Sequence, residues 1–231
     1  QAIPLLLVVI FTILSVTFTI FAPRIIGEAT NKLFEGVISK QLSSGITKEQ
    51  AIAELKAKEY SENVLYIATA AVTDEAMADR VKKHREQRPA FWQTLEMYSD
   101  FKTLINKAEF NQSEVVLLDC ITTMIGNYMV ESKLDFDDCS VEDVNILENK
   151  ITEEVFSLIN VCKENNKKLI IVSNETGMGL VPSYYMGNYF RDISGRINNK
   201  IGVQAEHMYF IFSGIPIKLK HKGEMIKWPQ D

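Results

Sequence analysis

Charge is missing from the start of this 231-residue chain: no Asp, Glu, Lys or Arg stands before Arg24. The 25 basic and 30 acidic residues all follow, and they sum to a net charge of −5. A basic excess is thus missing as well, which argues against a nucleic-acid binder, because phosphate contacts normally draw on surplus Lys and Arg. Cysteine is scarce. Cys120, Cys139 and Cys162 are an odd number without metal-type spacing, which argues against a disulfide framework or a zinc site. A reducing, cytoplasmic compartment is the corresponding expectation. Low-complexity, collagen-like and disordered readings also fall away, since 46% of residues are hydrophobic and 24% charged, an ordinary globular composition. The length suits one α/β domain with a full core, or a small domain with an appendage.

What the uncharged head does contain is AIPLLLVVIFTILSVTFTIFA at residues 2–22, about the length that spans a hydrocarbon core of roughly 30 Å. A transmembrane helix, and with it membrane contact through residues 2–22 and a tether for the rest, is the leading expectation. A signal peptide would want a basic leading region and a clean small-residue cleavage site, and a buried helix would keep a polar stripe. The chain opens on Gln rather than Met, as expected of a fragment or an artificial junction. Residues 22–40 continue as a Pro-kinked, then amphipathic segment, so 1–40 is treated as one apolar unit. Residues 41–62 read as a linker followed by a helix near 50–58, with Thr47 as its cap.

From Asn63 the pattern changes. Apolar runs at 64–72, 113–121 and 167–175 read as buried strands, and 207–220 as a fourth and fifth. A short strand is expected around 92–96 and a helix from Ser99. Amphipathic stretches at 75–87 and 183–204 read as helices. Ser140 and Asp143 form a capping box ahead of a helix whose Val144, Leu147, Ile151, Val155, Leu158 and Cys162 recur at three and four. Alternating strands and helices imply an α/β fold with a mostly parallel sheet covered on both faces. In such sheets ligands bind beyond the carboxyl ends of the strands, which directs attention to Thr69, Asp119, Cys120, Ser173, Asn174 and Glu175.

Asp119 closes a VVLLD strand, where a carboxylate can hold a magnesium ion or its water shell; a purely structural carboxylate is the equal alternative. His84 lies among Lys82, Lys83, Arg85 and Arg88. Neighbouring cations favour a neutral, nucleophilic imidazole and attract phosphate oxygens, although on its own this reads as a solvated helix face. The turn at 174–182, NETGMGLVP, has two glycines that let backbone approach a ligand, or simply links strand to helix. Arg191 and Arg196 either pair with carboxylates across the fold or face phosphates. His207 and His221 read as structural or solvent-exposed.

Taken together and in order, NVLYIATA (63–70), MADRVKKHREQRPAFWQTLE (77–96), LLDCITTMIGN (117–127), VSNETGMGLVP (172–182) and YFRDISGRIN (189–198) resemble the bifunctional adenosylcobinamide kinase and adenosylcobinamide-phosphate guanylyltransferase family of cobalamin biosynthesis. The resemblance covers about residues 63–220, the α/β domain assigned to 63–231. It implies a RecA-like P-loop-type fold, a homotrimer, adenosylcobinamide and its phosphate as substrates, and GTP, ATP and Mg²⁺ as the nucleotides and metal. It also implies two reactions, phosphorylation of adenosylcobinamide and transfer of GMP from GTP onto that phosphate through a guanylylated histidine. The histidine matching the motif is His84. Arg88 and Glu96 match positions that bind guanine nucleotide, Arg85 would offset phosphate charge, Thr69, Asn174 and Glu175 join the nucleotide-binding set, and Asp119 is the metal ligand.

One family feature is missing. A strand followed by G-x-x-x-x-G-K-[ST] should precede VLYIAT, its amides and Lys cradling phosphates; here Ser43-Ser44-Gly45-Ile46-Thr47-Lys48-Glu49-Gln50 stands in that place. The first forty residues, through APRIIGEATNKLFEG, resemble the first membrane helix of an ABC exporter permease. Two other readings therefore stay open: an inactive or chimeric chain without a phosphate loop, and a membrane transport component.

Overall fold

The computed structural model describes residues 48–70, 89–212 and 214–226. The expected membrane segment, the Ser43–Thr47 stretch and the helix expected at 75–87 lie outside them. Among the described residues, those up to Phe210 and those from Lys218 onward belong to one compact unit, and those between them to another. Among the described residues no helix is long and apolar enough to cross a membrane.

Four parallel strands form the centre: β1 (Val64–Ala68), β2 (Gln93–Glu96), β3 (Val115–Asp119) and β4 (Lys168–Val172), ordered β2-β1-β3-β4. Their composition follows from burial on both faces. Side chains alternate across a strand: Leu65, Ile67, Val116 and Leu118 enter the larger core, while Val64, Tyr66, Val115 and Leu117 enter a second one with Trp92 and Ala57. A strand with two dry faces has no position for polar alternation, hence the unbroken apolar runs.

Helix α1 (Lys48–Tyr60) supplies Ala57 to the second core. The helix expected at 50–58 therefore runs longer at both ends, and its Ala57 packs with residues of the sheet. The helix expected from Ser99 is instead a 3₁₀ turn (Phe101–Asn106) followed by the short α2 (Ala108–Gln112), anchored by fully buried Phe101, Leu104 and Phe110. After β3 the apolar run does not stay extended to Ile121; that residue opens helix α3 (Ile121–Ser132), with Ile121, Met124, Ile125, Tyr128 and Met129 buried.

Helix α4 (Val141–Glu164) starts at the expected capping box: the Asp143 N–H donates to Ser140 Oγ at 3.1 Å, and the Ser140 N–H donates to Asp143 Oδ2 at 3.0 Å. Helix α5 (Tyr185–Gln204) lies across α3 and α4. The strands expected at 207–220 are β5 (Met208–Phe212) and β6 (Ile215–His221), which with β7 (Glu224–Met225) form a separate three-stranded sheet, β6 and β7 antiparallel. Lys220 Nζ donates to the carbonyls of Gly202 and Val203 at 3.0 and 2.9 Å, satisfying acceptors that the end of α5 leaves open.

Helices α4 and α5 are joined by charge. Glu148, nearly buried, accepts from Arg196 Nε at 2.9 Å and from Lys200 Nζ at 3.4 Å. Burial pushes the Glu148 carboxyl up, but the Arg196 hydrogen bond and charge, then Lys200, outweigh it and hold the group below the ordinary glutamate range. A carboxylate with a depressed folded-state pKa contributes stability that is full above its unfolded pKa and lost as pH falls through the folded one. Glu148→Gln is therefore expected to lower stability near neutral pH by about 1 kcal/mol. In urea melts over a pH series, the gap from wild type should close on acidification below the glutamate range.

Candidate active site

The parallel register aligns the carboxyl ends of the strands. Ala68 stands opposite both Glu96 and Asp119, and Asp119 opposite Val172. Thr69, Glu96, Asp119 and Asn174, far apart in sequence, thus share one edge of the sheet.

Thr69 is fully buried and its hydroxyl is engaged by the protein itself. The Cys120 N–H donates to Thr69 Oγ1 at 2.8 Å, and that hydroxyl lies 2.8 Å from the Cys120 carbonyl and 3.1 Å from the Asp119 carbonyl. The Thr69 N–H donates to the Asp119 carbonyl at 3.0 Å, and the Thr69 carbonyl accepts from Asn127 Nδ2 at 2.6 Å. Thr69 thus ties the end of β1 to the end of β3 and to α3.

Asp119 is half-buried, and the Tyr66 hydroxyl donates to its Oδ2. Tyr66 is the one polar side chain in an otherwise aliphatic strand. A buried Tyr hydroxyl needs a partner, and this is the signal by which a neighbour of Asp119 could have been read from sequence. Cys120 Sγ lies 3.2 and 3.1 Å from the hydroxyls of Thr122 and Thr123.

On β4, the Ser173 hydroxyl donates to Asn198 Oδ1 at 2.6 Å, and Asn198 Nδ2 donates to the Asn174 carbonyl at 3.1 Å. Asn174 Nδ2 in turn reaches Thr122 Oγ1 at 2.8 Å. The exposed Glu175 carboxylate accepts from the Gly177 N–H at 2.6 Å, and Arg191 Nη2 donates to the Gly177 carbonyl at 2.6 Å. Of the two arginines flagged in sequence, Arg196 is the one paired with carboxylates: its guanidinium lies 2.7 Å from Glu148 and 3.8 Å from Asp192. His207 and His221 are not isolated, since their Nδ1 atoms meet at 3.2 Å. His84, Arg85 and Arg88 lie outside the described residues.

Among the described residues no group of three or more His, Cys, Asp or Glu could enclose a metal. One carboxylate at a strand end nevertheless suits a hard cation such as Mg²⁺, which keeps several waters and takes its other ligands from substrate phosphates.

Residues 44–219 match the family model described as cobinamide kinase / cobinamide phosphate guanyltransferase. The chain belongs to that family. Its two named activities make it a family of transferases. The chain is 40% identical over 160 residues to the bifunctional adenosylcobalamin biosynthesis protein CobU of Escherichia coli strain K12, covering 69% of this chain and 87% of that protein. It is 31% identical over 169 residues to the bifunctional adenosylcobalamin biosynthesis protein CobP of Pseudomonas aeruginosa, covering 73% and 89%. A stretch of 51 residues is 45% identical to a fatty acid ABC transporter ATP-binding/permease protein of Mycobacterium bovis, but that covers only 22% of this chain and 8% of the transporter. The membrane transport reading therefore rests on a short segment, and the family rests on most of the chain.

Thr69→Val keeps the shape of the side chain and removes the hydroxyl that receives the Cys120 N–H. The loss is expected to be about 1–3 kcal/mol, the cost of leaving a buried donor unpaired, read as a lower denaturation midpoint with an unchanged m-value.

Proposed function

We propose that this chain phosphorylates adenosylcobinamide and then transfers GMP from GTP to adenosylcobinamide phosphate through a guanylyl-histidine at His84. The observation that carries the reading is the alignment of Glu96, Asp119 and Asn174 on one carboxyl edge of a parallel sheet in a member of this family. The finer fold assignment is RecA-like and P-loop-type, with residues 1–40 as an apolar membrane-contacting segment, 41–62 as linker and helix, and 63–231 as the catalytic domain.

In the transfer half, the neutral imidazole of His84 attacks the α-phosphorus of GTP. A P–N bond forms, the P–O bond to the β-phosphate breaks, and pyrophosphate leaves. A phosphate oxygen of adenosylcobinamide phosphate then attacks the same phosphorus, breaking the P–N bond and returning His84, so that one difficult transfer becomes two easier ones. Arg85 and Arg88 offset charge gathering on the phosphates. Glu96, Asn174 and Glu175 hold the nucleotide, with Thr69 fixing the strand ends beneath it. Asp119 would be the protein ligand for Mg²⁺, which when bound would neutralise charge on GTP or ATP. The absent G-x-x-x-x-G-K-[ST] segment removes a cradle of amides and a Lys, so nucleotide affinity should be low. A homotrimer in the cytoplasm completes the proposal.

Incubation with α-labelled GTP and Mg²⁺ should leave acid-labile label on the wild-type protein and none on His84→Ala, with Asp119→Asn at least about 100-fold slower, the scale of losing a preorganised charge partner. A folded wild type that never takes up label would favour the inactive, phosphate-loop-deficient reading.

A further inference from the structure

The segment between β4 and α5 is unusual in what it shows to water. From Thr176 to Phe190 the chain carries no charged residue. Within that span Met178, Leu180, Val181, Tyr184 and Tyr185 are 73%, 97%, 69%, 61% and 59% exposed. Single exposed apolar residues need no explanation, whereas a contiguous group of them marks a contact surface.

The segment is also held in place. Arg191 grips the Gly177 carbonyl, Glu175 the Gly177 N–H, and Asn198 the Asn174 carbonyl. At the far end Pro182 and the Tyr184 ring close over Gly187, where an added Cβ would come within 2.8 Å of both. Pinning both ends of an apolar loop fixes the surface it presents, and the loop leaves β4 at the edge that carries Asp119 and Glu96.

A second observation concerns polarity. Arg191 Nη1 and Thr176 Oγ1 are both shut off from solvent and have no hydrogen-bond partner. A buried guanidinium nitrogen and a buried hydroxyl left unpaired are each costly, and such orphans call for an absent partner. The groups that satisfy an Arg and a Thr together are the oxygens of an anion, phosphate above all. Apolar side chains outside and unpaired anion-binding groups beneath describe an amphiphilic ligand. A second copy of this chain would use the first feature and leave the second unexplained.

Resting on the function proposed above, we infer that the loop 176–185 with Arg191 seats the acceptor substrate. The apolar body of the macrocycle lies on Leu180, Met178 and Tyr184, and the phosphate on its arm displaces the loop enough to meet Arg191 and Thr176. Arg191 is thus a binding residue for the phosphorylated acceptor and has no part in forming the guanylyl-histidine.

The test compares cobinamide and cobinamide phosphate binding by absorbance titration, alongside α-labelled GTP uptake and molar mass by light scattering. Leu180→Asp should weaken both corrinoids by about tenfold or more, the scale of losing one buried apolar side chain. Arg191→Met should weaken only the phosphate form by a similar factor, with Arg191→Lys partly restoring it; the Lys variant also serves if the Met variant fails to fold. GTP label should be unchanged in Leu180→Asp, and for the Arg191 variants the readout is the split between the two corrinoids. Unaltered corrinoid binding in folded variants, or a change of molar mass with unaltered binding, would overturn the inference, the latter identifying the loop as a subunit interface. If the wild type binds corrinoid through this loop but takes up no GTP label, the inference stands and the guanylyl-transfer proposal fails. If label forms and no corrinoid binds, the reverse holds.

Discussion

The parallel pairing of Val64–Ala68 with Val115–Asp119 fixes where Thr69 and Asp119 stand, because a slip of one residue would turn Asp119 from the strand end to the opposite face. Two features secure that register. Alternate residues of both strands fill two separate cores, so a slip would move each apolar side chain into the wrong one. At the carboxyl end, Thr69 closes the pair: its N–H donates to the Asp119 carbonyl and its hydroxyl accepts from the Cys120 N–H. The first feature is spread over many contacts, while the second is concentrated in one residue at the margin of the site.

From that constraint the rest of the edge follows. β2 pairs on one side of β1 and brings Glu96 level with Ala68; β4 pairs on the far side of β3 and brings Ser173 and Asn174 past Asp119. Helix α3 begins at Ile121, directly after Cys120, so its Thr122 can bind Asn174 and its Asn127 can bind Thr69. Polar side chains at this edge are therefore largely bonded to one another before any ligand arrives. The exception is at the start of the 176–185 loop and its anchor, where Thr176 and Arg191 each leave a buried atom unpaired.

Much of this was legible in the sequence, for reasons that differ by element. β1, β3 and β4 announced themselves because doubly buried parallel strands must be continuously apolar. The start of α4 was legible because Ser140 and Asp143 satisfy each other's backbone at fixed spacing. Helix α3 was hidden by its own composition: the apolar run of β3 continues through Ile121, and periodicity cannot show a change of conformation where both elements are buried. The C-terminal strands were read correctly as strands, but no local signal says which sheet a strand joins. Thr69 and Asp119 were singled out as strand-end residues, yet the bonds that define Thr69 span some fifty positions along the chain. Arg196 could not be told from Arg191 in sequence, because the carboxylate that claims it, Glu148, lies on another helix.

The central claim is that nucleotide chemistry takes place at this carboxyl edge. Hydrogen–deuterium exchange of the full chain with and without Mg²⁺ and saturating GTP tests it most directly. Added protection should fall on peptides containing Thr69, Glu96, Asp119–Thr123 and Asn174–Gly177, and the opposite, amino-terminal ends of the same strands should be unchanged. Protection absent at saturating GTP, or confined to the amino-terminal edge or to the β6–β7 hairpin, would contradict the account.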